Sequence, residues 1–245
     1  MRLKFFFPLV VAAMGIFMIS SSANADILAS DDFSYADGNL VGNGGWTNHS
    51  GSGSFIQVAG GAATLSHGGG SREDAGLNFA DVSTGILTAE FDIVVTDDVT
   101  PLSGTDFEYF AHFMSEGSFN FRSRLDLVSP TGSGDYTLGI ANNDSTADTV
   151  LGTDFSFGDT VAVQIAFNLD TGIASLTAGG ATAIGDLGDA SLGETLNRFA
   201  LRQSESSASE SIQVDNLVIS RTVPEPTSAI VLAAFAGLGV VRRRK

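Results

Sequence analysis

The sequence predicts an all-β protein folded as a two-sheet antiparallel sandwich, and three observations carry that prediction. Apolar and polar residues alternate through many short runs, turn-forming clusters separate those runs, and no interior segment holds a helical period over a useful length. Glycine supplies 29 of the 245 residues, which suits a chain that reverses direction often. Two flanking helices are expected outside the sandwich, a signal helix at the N-terminus and a hydrophobic helix at the C-terminus.

The first 25 residues read as a leader. A basic start, Met1-Arg2-Leu3-Lys4, precedes an apolar run from Phe5 to Ile19 and then the small-residue pattern Ala23-Asn24-Ala25. That order is the signature of a signal peptide handled by the Sec machinery, with Ala23 and Ala25 defining cleavage after Ala25. An uncleaved anchor is the alternative, and the short apolar run with its small-x-small site argues against it.

Strands are expected over residues 55–58, 62–66, 85–96, 107–114, 120–128, 136–141, 160–168, 173–178, 198–203 and 211–220. Residues Phe107, Tyr109 and Phe113 are expected on one face of their strand, as are Val161, Val163, Ile165 and Phe167. The clearest turn is Asn168-Leu169-Asp170-Thr171-Gly172, where Asp and Gly suit local hydrogen bonding and positive φ. No interior stretch is rich enough in proline or charge to divide residues 26–221, so they form one domain.

The C-terminal segment, residues 222–245, breaks this pattern. Pro224 and Pro226 end the last strand, because neither can donate to a ladder. Apolar residues then run from Ala229 to Val241, and Arg242, Arg243, Arg244 and Lys245 close the chain. Thirteen residues rise only about 20 Å as a helix, short of a full hydrocarbon core. The four cations mark the end that stays cytoplasmic. Together, Val223-Pro224-Glu225-Pro226, the short apolar helix and the basic tail resemble the PEP-CTERM sorting signal of Gram-negative bacteria. The resemblance implies recognition of Pro224, Glu225 and Pro226 by the membrane protease-transferase exosortase and removal of the tail. It also implies association with exopolysaccharide. Membrane contact through the C-terminal helix is then transient, at the inner membrane, before the protein reaches the cell surface or extracellular matrix.

Charge excludes one class of partner. Residues 26–222 hold six cations, all arginine, against 27 acids, a net charge of −21. Such a domain repels nucleic acid and anionic lipid. Cysteine is absent and the three histidines are widely spaced, which removes the usual zinc and thiol chemistries.

Four features order the middle of the chain: Asp31-Asp32-Phe33, Gly44-Gly45-Trp46, the Asp170-Thr171-Gly172 hairpin and the closing Val214-Asp215-Asn216. In that order they resemble LamG-like jelly rolls of the concanavalin A-like lectin/glucanase superfamily. The resemblance implies that the first and last strands are neighbours. It also implies a candidate structural calcium site from Asp31, Asp32 and Asp215, the only cofactor the sequence suggests. The alternative makes Asp31 and Asp32 turn residues and Asp215-Asn216 a bulge that turns Val214 and Leu217 to one face. Trp46, the sole tryptophan, is either a saccharide platform or a core cap.

Catalysis is not expected. Glucanases of this superfamily carry Glu-x-Asp-x-x-Glu on one strand, and here Glu90 and Asp92 are followed by Val95 where the acid–base partner belongs. No nucleophile elbow is present. The sequence thus predicts an exported, non-enzymatic surface or matrix protein; a lectin-like carbohydrate-binding module is the alternative, and a glycoside hydrolase the weakest reading.

Overall fold

The computed structural model describes residues 25–68, 71–96, 108–142, 146–185, 194–203 and 210–223. The signal segment before Ala25, the sorting tripeptide and the basic tail lie outside them. Sixteen strands, numbered in chain order, form two antiparallel sheets among these residues. The first sheet runs β14 (Ala181–Ile184), β13 (Ile173–Ala178), β12 (Thr160–Asn168), β7 (Ile86–Thr96), β16 (Ser211–Thr222), β5 (Ala62–Ser66), β4 (Gln57–Ala59) and β2 (Gly38–Asn39). Strand β1 (Ala25–Asp31) pairs with the last half of β16. The second sheet runs β11 (Thr149–Val150), β10 (Thr137–Ala141), β9 (Phe121–Val128), β8 (Glu108–Met114), β15 (Leu196–Leu201), β6 (Asp74–Val82) and β3 (Trp46–Ser50).

Alternation builds the core. Leu87, Ala89, Phe91, Ile93 and Val95 of β7 are buried together with Val161, Val163, Ile165 and Phe167 of β12, as their period of two requires. The second sheet answers with Phe113 and Phe199. Phe199 packs 5.8 Å from Phe91 across the sandwich and 5.8 Å from Phe113 within its own sheet. The predicted turn after β12 is present, but Asn168 does most of its bonding. Its carbonyl accepts from Gly172 N at 2.6 Å and its side chain accepts from Asp170 N and Thr171 N. Asp170 instead accepts a hydrogen bond from Gly85 N, tying the turn to the start of β7.

Two departures from regular pairing matter for the surface. In β16 the register slips between Asp215 and Val218, with Asn216 at φ 55°. The extra residue lets Val214 and Leu217 both point inward, as the bulge alternative expects. In β8 the register against β9 slips twice, once between Tyr109 and Ala111 and again between Ala111 and Phe113. Phe113 joins the core while Tyr109 does not. The expectation that both aromatics share a face therefore fails, because irregular pairing between them breaks the period of two. Phe107 lies outside the described residues.

A buried amide staples the sheets where β15 ends. Gln203 accepts from Ser66 N at the end of β5 and donates to the carbonyls of Ser54 and Glu73. The backbone N–H of Gln203 donates to Asp74 of β6.

Candidate functional site

The expected site residues resolve into a structural corner. Asp31, nearly buried, accepts from Phe33 N at 2.8 Å, from Trp46 Nε1 at 2.6 Å and from the Tyr35 hydroxyl. Phe33 stacks on Trp46 with ring centroids 6.1 Å apart. Gly44 is obligatory there: its φ is +54°, and a Cβ would fall 1.9 Å from the Tyr35 hydroxyl oxygen. Burial, with the Asp31 hydrogen bond and charge, raises the Tyr35 phenol above its ordinary value.

This corner corrects the saccharide-platform reading of Trp46. The indole is 1% exposed, stacked and hydrogen-bonded inward, so it caps the core. The carboxylates do not fit a calcium set either. Both oxygens of Asp31 are engaged, and Asp32 accepts from the Ser34 amide and hydroxyl, which holds its carboxyl below the usual range. Asp215 is in register with Asp92 and accepts from Asn216 N. Among the described residues no group of three or more acids or histidines is placed to hold a metal.

Glu90 and Asp92 stand on the outward face of the first sheet, beside a cleft of about 880 Å³ that Asp159, Gln164 and Asn216 also line. Each carboxylate accepts from an amide. Gln164 Nε2 donates to Glu90 at 2.6 Å, and Asn216 Nδ2 to Asp92 at 3.0 Å. The position three residues beyond Asp92 is Val95, fully buried in the core.

The outward face of the second sheet holds a cluster that sequence reasoning missed. Tyr109 and His112 of β8 lie there together, ring centroids 5.6 Å apart, with Phe121 of β9 4.3 Å from His112 and 5.9 Å from Tyr109. His49 of β3 approaches His112 and Phe121 from the other side. Two guanidinium groups flank the Tyr109 ring, Arg124 at 3.5 Å and Arg202 at 4.1 Å from its centroid. Arg198 of β15 lies across Gly76, where a Cβ would meet its Cδ at 2.6 Å, and hydrogen-bonds Asn78, Thr47 and Glu116.

The cluster is graded in depth. His112, Arg124 and Arg198 form a buried floor, His49, Tyr109, Phe121 and Arg202 are half-buried, and Phe119 is 77% exposed beside His49. Burial holds His112 well below its ordinary value, with the nearby His49, Arg124 and Arg202 adding to the effect. The ring is therefore neutral at pH 7. Neither of its nitrogens has a hydrogen-bond partner among the described residues. Burial raises the Tyr109 phenol, against the pull of the two arginines. Chemically the face offers planar cations, stacking rings and an imidazole with spare hydrogen-bonding capacity. The available signal was the position of the arginines: four of the domain's six fall at 122, 124, 198 and 202.

No curated protein matches the chain in sequence. Among solved structures, a sialidase superposes with a TM-score of 0.54 at 15% identity, over 81% of this chain and 19% of that one. The carbohydrate recognition domain of Emp47p gives 0.51 at 13% identity, over 83% and 97%. Peanut lectin, solved with a nine-residue peptide, gives 0.52 at 12% identity, over 83% and 100%. The chain thus spans about a fifth of the sialidase but nearly all of each lectin domain. At these identities the likeness concerns the fold, and it is that of the concanavalin A-like lectin sandwich. Residues 222–245 match the PEP-CTERM protein-sorting motif, which implies export and sorting by exosortase to the cell surface. The comparisons thus support two things, a sandwich of the fold these lectin domains share and a C-terminal segment that matches the PEP-CTERM protein-sorting motif.

Proposed function

We propose that the protein is a non-enzymatic component of the cell surface or extracellular matrix whose sandwich associates with exopolysaccharide. The sorting motif carries the destination, since it directly follows the last strand of the sandwich. Two features support the polysaccharide partner: the fold shared with carbohydrate recognition domains, and rings graded from exposed Phe119 to half-buried Tyr109 and Phe121 on one sheet face. The absence of catalysis is supported at Glu90 and Asp92. Each is paired with a neutral amide, and the chain points an apolar Val95 into the core where a third carboxylate would be needed.

The test is retention of the exported protein on exopolysaccharide isolated from the producing cells, with a cellulose column as reference. Specific retention without release of reducing ends is the expected result. Failure to bind returns the sandwich to a purely structural role, and polymer cleavage abolished by Glu90→Gln or Asp92→Asn would make it a hydrolase. Intact mass of the same material reads the two processing events. The expected mature chain starts at Asp26 and lacks the basic tail.

A further inference from the structure

The charge of the domain is polarised in a way its total conceals. Residues 26–222 carry −21, yet Arg122 and Arg124 of β9, Arg198 of β15 and Arg202 just beyond it place four of six cations on or beside the second sheet. Two of these are committed to carboxylates, Arg122 to Glu194 and Arg198 to Glu116, each at 2.8 Å. Arg202 is different. It is half-buried against Tyr109, and among the described residues its guanidinium makes no hydrogen bond or ion pair. Asp74 interacts electrostatically with Arg202 and Tyr109, and Asp126 with Arg124. Beneath lies His112, 1% exposed, with both nitrogens lacking hydrogen-bond partners among the described residues. A buried polar group without a partner is costly.

We propose that this face binds carboxylated sugars within an acidic polysaccharide. Arg202, its plane fixed by stacking on Tyr109, takes the carboxylate, and the rings of Phe121 and Phe119 lie against the apolar faces of successive residues. The inference rests on the polysaccharide reading above and gives that reading a substrate class. Guanidinium suits the task because it is planar, weakly hydrated and presents paired donors that match a carboxylate, and stacking on Tyr109 fixes the plane of the fork. The acidic remainder of the domain does not forbid a polyanion. Its field is screened beyond about 10 Å at 0.1 M salt, so elsewhere it repels the polymer while the local contacts at this face act at full strength.

The test uses the full exported chain and two forms of one polymer, polygalacturonate and its carboxyl-reduced, neutral counterpart, at 0.1 M salt. The wild-type protein is expected to hold polygalacturonate about tenfold more tightly than the reduced form, the usual order for one charge-assisted hydrogen-bonded contact. Arg202→Gln removes that preference, Phe119→Ala weakens binding to both polymers, and Arg221→Gln on the other sheet changes neither. Neither the Arg202 nor the Phe119 side chain makes a described hydrogen bond, and equal melting temperatures verify that the variants keep the fold. Free galacturonate competes, whereas acetate at equal concentration does not; equal competition by acetate would reduce the site to a simple anion contact and overturn the assignment. Equal affinity for both polymers, or an unchanged preference in Arg202→Gln, also overturns it. Retention on the producer's exopolysaccharide without any uronate preference sinks the substrate class alone. No retention on any polymer sinks the function with it.

Discussion

Replacing Gln203 by Leu should unfold the sandwich from the joint between its sheets. The side chain is 4% exposed and makes three hydrogen bonds, accepting from Ser66 N at 2.8 Å and donating to Ser54 O and Glu73 O. Leu fills most of the volume, so the loss is polar rather than steric. The Glu73 carbonyl is left in a fully buried setting, while Ser66 N and Ser54 O, being partly buried, recover some water. Taking about 1–2 kcal/mol for the buried group and about 0.5–1 for each of the others gives about 2–4 kcal/mol. For a domain of this size that corresponds to a fall in melting temperature of about 4–16 °C, at about 2–4 °C per kcal/mol. Differential scanning calorimetry of the exported protein measures it. Gln57→Leu is the control, because Gln57 bonds Asn39 and Phe55 at comparable distances but is exposed. It should shift the midpoint by no more than about 1–2 °C, since exposed surface substitutions rarely exceed about 0.5 kcal/mol. Equal shifts in the two variants would refute the claim that burial of the amide, and not the number of its bonds, sets the cost.

Three further outcomes follow from the same geometry. Burial holds His67 down to about 4 from an ordinary value of 6.5, opposed by its hydrogen bond to the Arg202 carbonyl and reinforced by the Arg202 and Arg72 charges. The unfolded chain therefore takes up a proton first as pH falls. Stability present above pH 6.5 is lost toward pH 4 at up to about 1.4 kcal/mol per unit; His67→Gln should flatten that part of a denaturation series run from pH 7 to 4.5, and an unchanged slope would disprove it. Asn216 sits at φ 55° in the β16 bulge, so Asn216→Gly should stay within about 0.5 kcal/mol of wild type while Asn216→Val costs about 1–2. Urea titration distinguishes them, and a neutral valine would mean that the bulge is not held in that conformation. Trp46, the only tryptophan, should emit as a buried indole and resist acrylamide quenching, with or without polysaccharide. An emission shift on adding polymer would restore it as a ligand contact.

Strands were legible where burial follows a period of two and illegible where it does not. All ten expected strands are present to within about two residues at most ends, as the pattern argument allows. β6 escaped because Asp74, Ala75, Gly76 and Leu77 are buried in succession, so its sequence does not alternate. β3 escaped because only Trp46 is fully buried among polar neighbours. The structural corner was half legible. The order Asp31, Gly44, Trp46 was recognised as meaningful, but a carboxylate facing an indole N–H and a carboxylate facing a cation look alike in one dimension. The arginine and tyrosine face was not legible for a physical reason. Tyr109 and His112 are three residues apart, which places them on opposite faces of a regular strand, and only the irregular pairing of β8 with β9 brings them together.

Strand β16 joins the fold to its address. Over its 12 residues it pairs with β7 on one side, and on the other with β5 through Ser211–Val214 and then with β1 through residues 217–222. Thr222 closes both outer ladders, opposite Ile86 on one side and Ala25 on the other, and the match to the sorting motif begins at the same residue. Among the described residues the ladders of β16 therefore end at the residue where the sorting segment starts, and none of their pairs lies beyond it. The expected signal cleavage after Ala25 removes one ladder pair at the same end. A register shifted inward by four residues would have put either processing event inside the core ladder, among Val218, Leu217 and their partners on β1. With the register as it stands, cleavage after Ala25 together with removal of the tail would cost the β1–β16 ladder only the pair Ala25–Thr222.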